Sequence, residues 1–379
     1  MNINYKKVID LRKKLHQIAE LSGSEHQTNL FLNEHLTHFQ PDKFIEKIGG
    51  YGLAAVFSGK EPGPRTLFRA DIDALPIEEI NNFEYRSITS NVAHLCGHDG
   101  HSAILLGLAQ ALHRFPPLKG EVVLLFQPAE EIGKGAHQVI QDILFHTIYP
   151  DYAFALHNLP GFKNGAVVMR DKVFASASVG LQILMKGRHA HASQPETGLS
   201  PAKALIELMK EMIAYDEGLN KDEKYALLTI THVRLGDQAF GTAPGEALLQ
   251  ATLRSFDDMK LDDMRHYWSL RSAEVCKNYH LELTLSWHEY FPATVNDISA
   301  TAFVSNAASK LGMHIISPDH PFRWSEDFGH FASVAPCCLF GLGAGIDHPN
   351  LHNSDYDFPD SLIQPGIELF ENVIRQING

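Results

Sequence analysis

The chain has 379 residues, 44% hydrophobic and 20% charged, with a formal net charge of −13. That length and apolar fraction predict a folded protein of two domains, and the acidity argues against nucleic acid and anionic membrane as partners, since both need a basic surface. The four cysteines are too few for a disulfide framework, no long apolar run suggests a membrane span, and the N-terminal stretch lacks an apolar signal core, so a cytoplasmic setting is expected.

Taken in chain order, the opening segment reads as an amphipathic helix with Val8, Leu11, Leu15 and Ile18 on one face. The strand-like runs "AAVFSG", "TLFRAD", "EVVLLFQ" and "YAFALH" then alternate with the helix-like "SAILLGLAQALHRF" and "KGAHQVIQDILF". Such alternation predicts an α/β sheet with parallel portions. From residue 178 to 289 the texture changes. "VGLQILMKG" alternates, and "SPAKALIELMKEMIAYDEGL" is a helix with Ser200 as cap and Pro201 at its first position. "YALLTITHVRLG" and "EALLQATLRSF" are strand-like, "LDDMRHYWSLRSAEVCKNYH" is helical and "LELTLSWHEY" is a strand. This strand–helix–strand–strand–helix–strand order predicts a compact, inserted, ferredoxin-like α+β domain. After residue 290 the α/β texture returns, with "CCLFGLGAG" as a buried strand and "SLIQPGIELFENVIRQI" as a terminal helix. The expected architecture is a discontinuous first domain (1–177 and 290–379), a mixed, mostly parallel sheet flanked by helices, interrupted by the insert (178–289).

Chemistry concentrates near the predicted strand ends. In "HLCGHDGHSA", Cys96 and His98 can converge on one metal ion, while Asp99 stands where the following helix needs an N-terminal cap. In "FQPAEE", an apolar strand runs into Glu130 and Glu131; of two adjacent glutamates, one can ligate a metal while the other moves a proton. His157 follows the run "FAL", and His352 lies in the dense loop "HPNLHNSDYDFPD" with His348. Asp71 and Asp73, just beyond "LFRA", can each orient a histidine ligand.

The ordered set "RADIDALPIEE", "HLCGHDGHSA", "FQPAEE", "ALHNLP", "SEDF" and "LHNSDYDFPD", with the opening "LRKKLHQIAELSGSEHQT", closely resembles metal-dependent amidohydrolases of the zinc aminoacylase/carboxypeptidase superfamily. The branch is that of hippurate hydrolases, N-acyl-amino-acid amidohydrolases, auxin-conjugate hydrolases and N-acetyldiaminopimelate deacetylases. The resemblance implies two divalent ions, Zn²⁺ first and Mn²⁺, Co²⁺ or Ni²⁺ as alternatives. It implies Cys96, His98, Glu131, His157 and His352 as their ligands, with the thiolate shared, Glu130 as general base and Asp71 as support for a ligand. It also implies that His191 of "GRHAHASQP" stabilises the tetrahedral intermediate, which members with a dimerising insert can supply from the partner subunit, and that Arg254 of "ATLRSF" contacts the substrate carboxylate, with a structural salt bridge as the equal alternative for Arg254. The implied partner is a small N-acyl amino acid, and the implied assembly a homodimer formed through the insert. Two departures stand out. His189 competes with His191, because Arg188, His189 and Ala190 replace the usual glycine pair, and Gly241 takes the position of an asparagine. Three rivals remain: a dipeptidase or carboxypeptidase with the same ligands, a silent metal-binding dimeric scaffold, and a thiol enzyme pairing Cys96 with Cys337 or Cys338.

Overall fold

A computed structural model describes residues 3–216 and 225–379. The chain divides into two compact units: one of Met1–Phe174, Thr294–Pro321 and Asp327–Gly379, the other of Ala175–Ala293 and Phe322–Glu326. The first unit begins with α1 (Tyr5–Gln17), α2 (His26–Thr37), β1 (Lys43–Ile48), β2 (Gly52–Ser58), β3 (Glu61–Asp71), α3 (His98–Arg114), β4 (Lys119–Gln127), α4 (Gly135–Gln141), β5 (Tyr152–Pro160), β6 (Val167–Val168) and β7 (Lys172–Ala175). The second carries β8 (Ala177–Lys186), β9 (Ala190–His191), α5 (Ala202–Asp216), β10 (Ala226–Leu235), β11 (Thr242–Ala243), β12 (Glu246–Ser255), α6 (Asp258–Asn278) and β13 (Glu282–Phe291). The chain then returns through β14 (Thr294–Asn296), α7 (Ile298–Lys310), β15 (Ile315–Ile316), β16 (Cys337–Gly345) and α8 (Ile363–Ile377). The end of the predicted helix before the second strand of the insert, Glu217–Leu219, lies outside the described residues.

In the first unit eight of the described strands form a mixed sheet in the order β1-β2-β4-β3-β5-β16-β6-β15, while β7 and β14 pair separately. Its four central strands, β4, β3, β5 and β16, run parallel, with antiparallel pairings at β1/β2, β2/β4 and β16/β6. Parallel strands need both faces covered, which explains why β4 reads as a nearly unbroken apolar run from Val122 to Phe126. Helix α3 packs against α1 and α8. Each presents a helical stripe: Val8, Leu11 and Leu15 from α1; Ile363, Ile367, Phe370, Ile374 and Ile377 from α8. The order of the central strands brings their C-terminal ends side by side, and the loops leaving those ends carry the chemistry.

One predicted helix is shorter than its pattern. In "KGAHQVIQDILF", α4 stops at Gln141 and Ile143–Thr147 form a 3₁₀ turn. Asp142 is the cause. Its backbone is extended, and its carboxylate accepts from Leu144 N–H and Gly49 N–H, both at 2.9 Å. A short acidic side chain that captures nearby backbone donors ends a helix in this way.

In the second unit the sheet order is β10-β12-β8-β13, all antiparallel. With α5 after β8 and α6 after β12, this is the ferredoxin-like arrangement. Alternate residues of β8 (Val179, Leu181, Ile183, Met185) and β12 (Ala247, Leu249, Ala251, Leu253) are buried, in one core with Leu205, Leu208, Leu261, Met264 and Trp268 of the two helices. Phe322–Glu326 joins this unit through backbone bonds from Ser176 N–H to Phe322 O and Trp324 O. No hydrophobic period announces such a return, since hydrogen bonds to Ser176 and Arg254 and the guanidinium of Arg323 over the Tyr225 ring hold it. No helix among the described residues is long and apolar enough to cross a membrane.

Candidate metal centre

The first unit gathers Asp71, Cys96, His98, Glu130, Glu131, His157 and His352. Donor atoms of Cys96, His98 and His157 lie within 4.8 Å of one another, as do those of Cys96, Glu131 and His352, and those of His98, Glu130 and Glu131. Cys96, His98 and Glu131 each belong to two of these groups, and of the three the thiolate of Cys96 is the donor that joins His157 of one group to His352 of another.

Backbone geometry aims these side chains. Gly97 has φ +93° and caps α3, which begins at His98. A side chain at 97 would collide with the Asn158 amide, so only glycine lets the turn between Cys96 and His98 lie there. Asp99 is consequently inside the first turn and caps nothing. It is instead a buried partner of Arg12 (3.2 Å) and His16 (2.9 Å) from α1. His352 also has a left-handed backbone (φ +66°), and its N–H bonds Leu95 O, tying the last loop to the residue before Cys96.

Each histidine turns Nε2 toward the cluster. His98 donates Nδ1–H to Asp73 O (2.9 Å), and His157 donates Nδ1–H to Asn158 O (2.9 Å). That leaves His157 Nε2 at 3.5 Å from Cys96 Sγ, His98 Nε2 at 3.8 Å from Glu131 Oε1, and His352 Nε2 at 3.7 Å from Glu131 Oε2. Donation from the far nitrogen fixes the tautomer that a metal requires. Asp71 lies 3.5 Å from His98 Nε2, accepts from His101 Nδ1 (2.6 Å), and receives Arg69 Nη1 at 2.8 Å.

The residues fit positively charged ions. His98 Nε2, Glu131 Oε1 and Asp73 Oδ1 are buried without a hydrogen-bond partner, an expensive state unless something else binds them. Burial and the nearby Asp73 and Asp71 push the Glu131 carboxyl up to about 7, although His98 opposes this. Burial disfavours a charged His98, yet Asp71, Asp73 and Glu131 override it and push the group up to about 10. In the metal-free protein the cluster thus takes up protons where it would otherwise hold a cation. His157, by contrast, is pushed down to about 3 by burial and by the charges of His101 and His98, and is neutral.

The match to the peptidase family M20/M25/M40 spans residues 67–376. The chain belongs to that family. It is 31% identical over 381 residues to an N-acetyl-L-cysteine deacetylase of Bacillus subtilis, covering 98% of this chain and 89% of the relative. A solved Bacillus subtilis structure, a dinuclear metal-binding peptidase of the M20 family, superposes with a TM-score of 0.82 at 25% identity, covering 98% of each chain. An aminobenzoyl-glutamate utilization protein of Klebsiella pneumoniae shares the fold at a TM-score of 0.74 and 19% identity, covering 98% of this chain and 95% of the other. This M20 chain is a metal-dependent amidohydrolase, and its donor groups suit two divalent ions.

The remaining candidates lie in the second unit. His191 is exposed on β9, with Nδ1 2.7 Å from Ser193 Oγ. His189 accepts from Gly245 N–H at 3.1 Å. The β9/β11 ribbon pairs His191 with Thr242, and Ala192 N–H donates to Gly241 O. Arg254 donates to Arg323 O (3.1 Å) and Ser325 Oγ (2.9 Å), and among the described residues it forms no ion pair with a carboxylate. Cys337 and Cys338 are buried, and burial pushes the Cys337 thiol up to about 12 and Cys338 higher still, which disfavours the thiolate a redox partner needs.

Sequence reasoning missed several supporting residues. Asp327 accepts from Arg69 Nη2, Gln127 Nε2 and Ala136 N–H, so one buried carboxylate links β3, β4 and the start of α4. Arg69 and Gln127 are charged and polar residues inside apolar runs, and that was the available signal. Glu25 is also fully buried; burial pushes its carboxyl up to about 7 despite backbone donors, including Gly23 and Ala129.

Proposed function

We propose that this enzyme hydrolyses N-acyl amino acids, with N-acetyl, N-benzoyl or related acyl groups, to a carboxylic acid and an amino acid. Cys96, His98, Glu131, His157 and His352 hold the two ions, with Cys96 shared, and Asp71 supports them. The thiolate and imidazole donors favour Zn²⁺, while the carboxylate admits Mn²⁺, Co²⁺ or Ni²⁺. When bound, such ions acidify water and polarise a carbonyl. Glu130 takes the proton of the attacking water and delivers it to the leaving amine. Arg254 pairs with the substrate carboxylate, and His191 of the partner subunit, in a homodimer formed through the insert, donates to the developing oxyanion, because one chain's β8/β12 pair holds these two residues at opposite ends.

The observation that carries this reading is a single thiolate common to two donor groups, with a second glutamate beside the ligating one. A scaffold that merely bound metal would have no use for that second carboxylate. Arg254 supports the substrate class: a half-buried guanidinium bonded to neutral oxygens keeps its charge available for an anionic ligand. The test is a hydrolysis panel on metal-reconstituted protein, comparing N-acetyl, N-benzoyl and indole-acetyl amino acids with dipeptides. Preferred turnover of N-acyl amino acids with about two metal equivalents supports the reading. Preferred turnover of dipeptides moves the enzyme to the peptidases.

A further inference from the structure

We propose that Glu25 is a positioning residue that clamps the left-handed turn at Ala129, on which Glu130 and Glu131 are mounted. The proposal rests on the roles given above to those two glutamates. Ala129 has φ +54°, a backbone conformation that a residue with a Cβ adopts at a cost. It follows Pro128 at the point where the chain leaves β4, so its φ sets the direction in which the next two carboxylates point.

Buried partners hold that turn. Ala129 N–H donates to Glu25 Oε1 at 2.8 Å, and the same oxygen accepts from Gly23 N–H at 2.9 Å. Ala129 O accepts from Gly135 N–H at 3.0 Å. Two residues on, Glu131 N–H donates to Asp73 Oδ2, which is itself held by Ser22 Oγ at 2.7 Å. The N–H groups of the two residues that flank Glu130, Ala129 and Glu131, are therefore each held by a buried carboxylate, one from the segment before α2 and one from the loop after β3. If the Glu25 bond is lost, residue 129 relaxes toward negative φ, the following peptide rotates, and both glutamates are displaced. Glycine at 129 would adopt positive φ without the Cβ penalty and would need no clamp.

That difference provides the test. Steady-state kinetics are measured on metal-reconstituted Glu25→Ala, Glu25→Gln and Glu25→Ala/Ala129→Gly proteins, with Glu130→Gln as reference. Amide hydrogen exchange at residue 129 is measured on the chelator-treated proteins. Glu25→Ala is expected to lower kcat by about 10- to 100-fold with KM changed less than about threefold. Glu25→Gln should retain most of kcat, because one amide oxygen can accept both N–H groups. Adding Ala129→Gly to Glu25→Ala should recover at least about fivefold in kcat. Exchange at Ala129 should be at least about tenfold faster in metal-free Glu25→Ala than in the parent. A kcat for Glu25→Ala within about twofold of the parent overturns the proposal, as does a loss that Ala129→Gly does not relieve. If Glu25→Ala does not fold, recovery of a folded, active protein by Ala129→Gly supports the clamp and failure to recover it overturns the clamp. Full activity in Glu130→Gln overturns the underlying functional reading instead, and the exchange measurement then decides the clamp alone.

Discussion

The two units carry their functional candidates in opposite ways. In the first, His98 is fully buried and bonded to Asp73 O, a residue 25 positions earlier. In the second, His191 is exposed and its partner Ser193 is two residues away. A donor held by distant, buried partners keeps its direction before any ligand arrives, whereas one on a short exposed ribbon can adjust to a ligand. The first arrangement suits ions, whose coordination tolerates little error. The second suits a substrate of variable shape.

The sharpest test of the rigid side is Glu130→Gln. The change keeps size and removes the proton acceptor, so two metal equivalents should remain while kcat falls by about 10²–10⁴-fold. Metal analysis beside steady-state kinetics separates the two properties. Loss of metal with loss of activity would make Glu130 a ligand and break the division of labour between the paired glutamates.

On the adjustable side, His191→Ala should lower kcat by about 10²–10³-fold, the usual effect of removing one oxyanion donor. His189 has a local task, accepting from Gly245 N–H, and His189→Ala should change kcat by less than about fivefold. Comparing the two variants on one N-acyl substrate settles which histidine acts. A larger loss for His189→Ala would exchange their roles.

The comparison also explains what the sequence made legible. Cys96, His98 and the glutamate pair stood out because polar residues at the ends of apolar runs break a simple period. Asp71 and His352 carried weaker signals of the same kind. Glu25, Asp327 and Asn158 lie within the resembling motifs "LRKKLHQIAELSGSEHQT", "SEDF" and "ALHNLP", but their roles had no local signal, since their partners lie far along the chain: Ala129 for Glu25, Arg69 for Asp327, Tyr356 for Asn158. Asp99 misled for a related reason. Its position suits a cap, but Arg12 and His16 arrive from α1 and take it. Strands and helices followed their hydrophobic periods, and the sheet order required contacts that no period encodes.

That buried support predicts a pH dependence. His16 lies between Asp99 and Glu79, and despite the opposing effect of burial these acceptors push it up to about 9. A group whose folded pKa exceeds its unfolded value, about 6.5 for histidine, stabilises fully below the unfolded value. The contribution is lost as pH rises through about 9. Denaturant unfolding of the metal-free protein should therefore show a loss of about 2–3 kcal/mol between pH 6 and pH 10 from this residue. His16→Gln should be less stable at pH 6 and should flatten that part of the profile. An unchanged alkaline slope would remove His16 from the support of the Asp99 segment.

The smallest expected effect falls on Gly241, which stands where an asparagine is usual in the resembling enzymes. Its φ is not left-handed, and a Cβ there would meet nothing within 4 Å. Neither backbone conformation nor crowding therefore demands glycine, and Gly241→Asn should fold as the parent does. On the ribbon that carries His191, an asparagine amide would reach the substrate carboxylate from the partner subunit of the proposed homodimer, as His191 would reach the oxyanion. One added neutral donor is worth about 0.5–1.5 kcal/mol, so KM for an N-acyl amino acid should fall by about two- to tenfold while kcat changes little. A fall in KM that vanishes when the substrate carboxylate is amidated would locate the new contact. An unchanged KM would mean that the ribbon at residue 241 does not reach that charge and that Arg254 meets it without help.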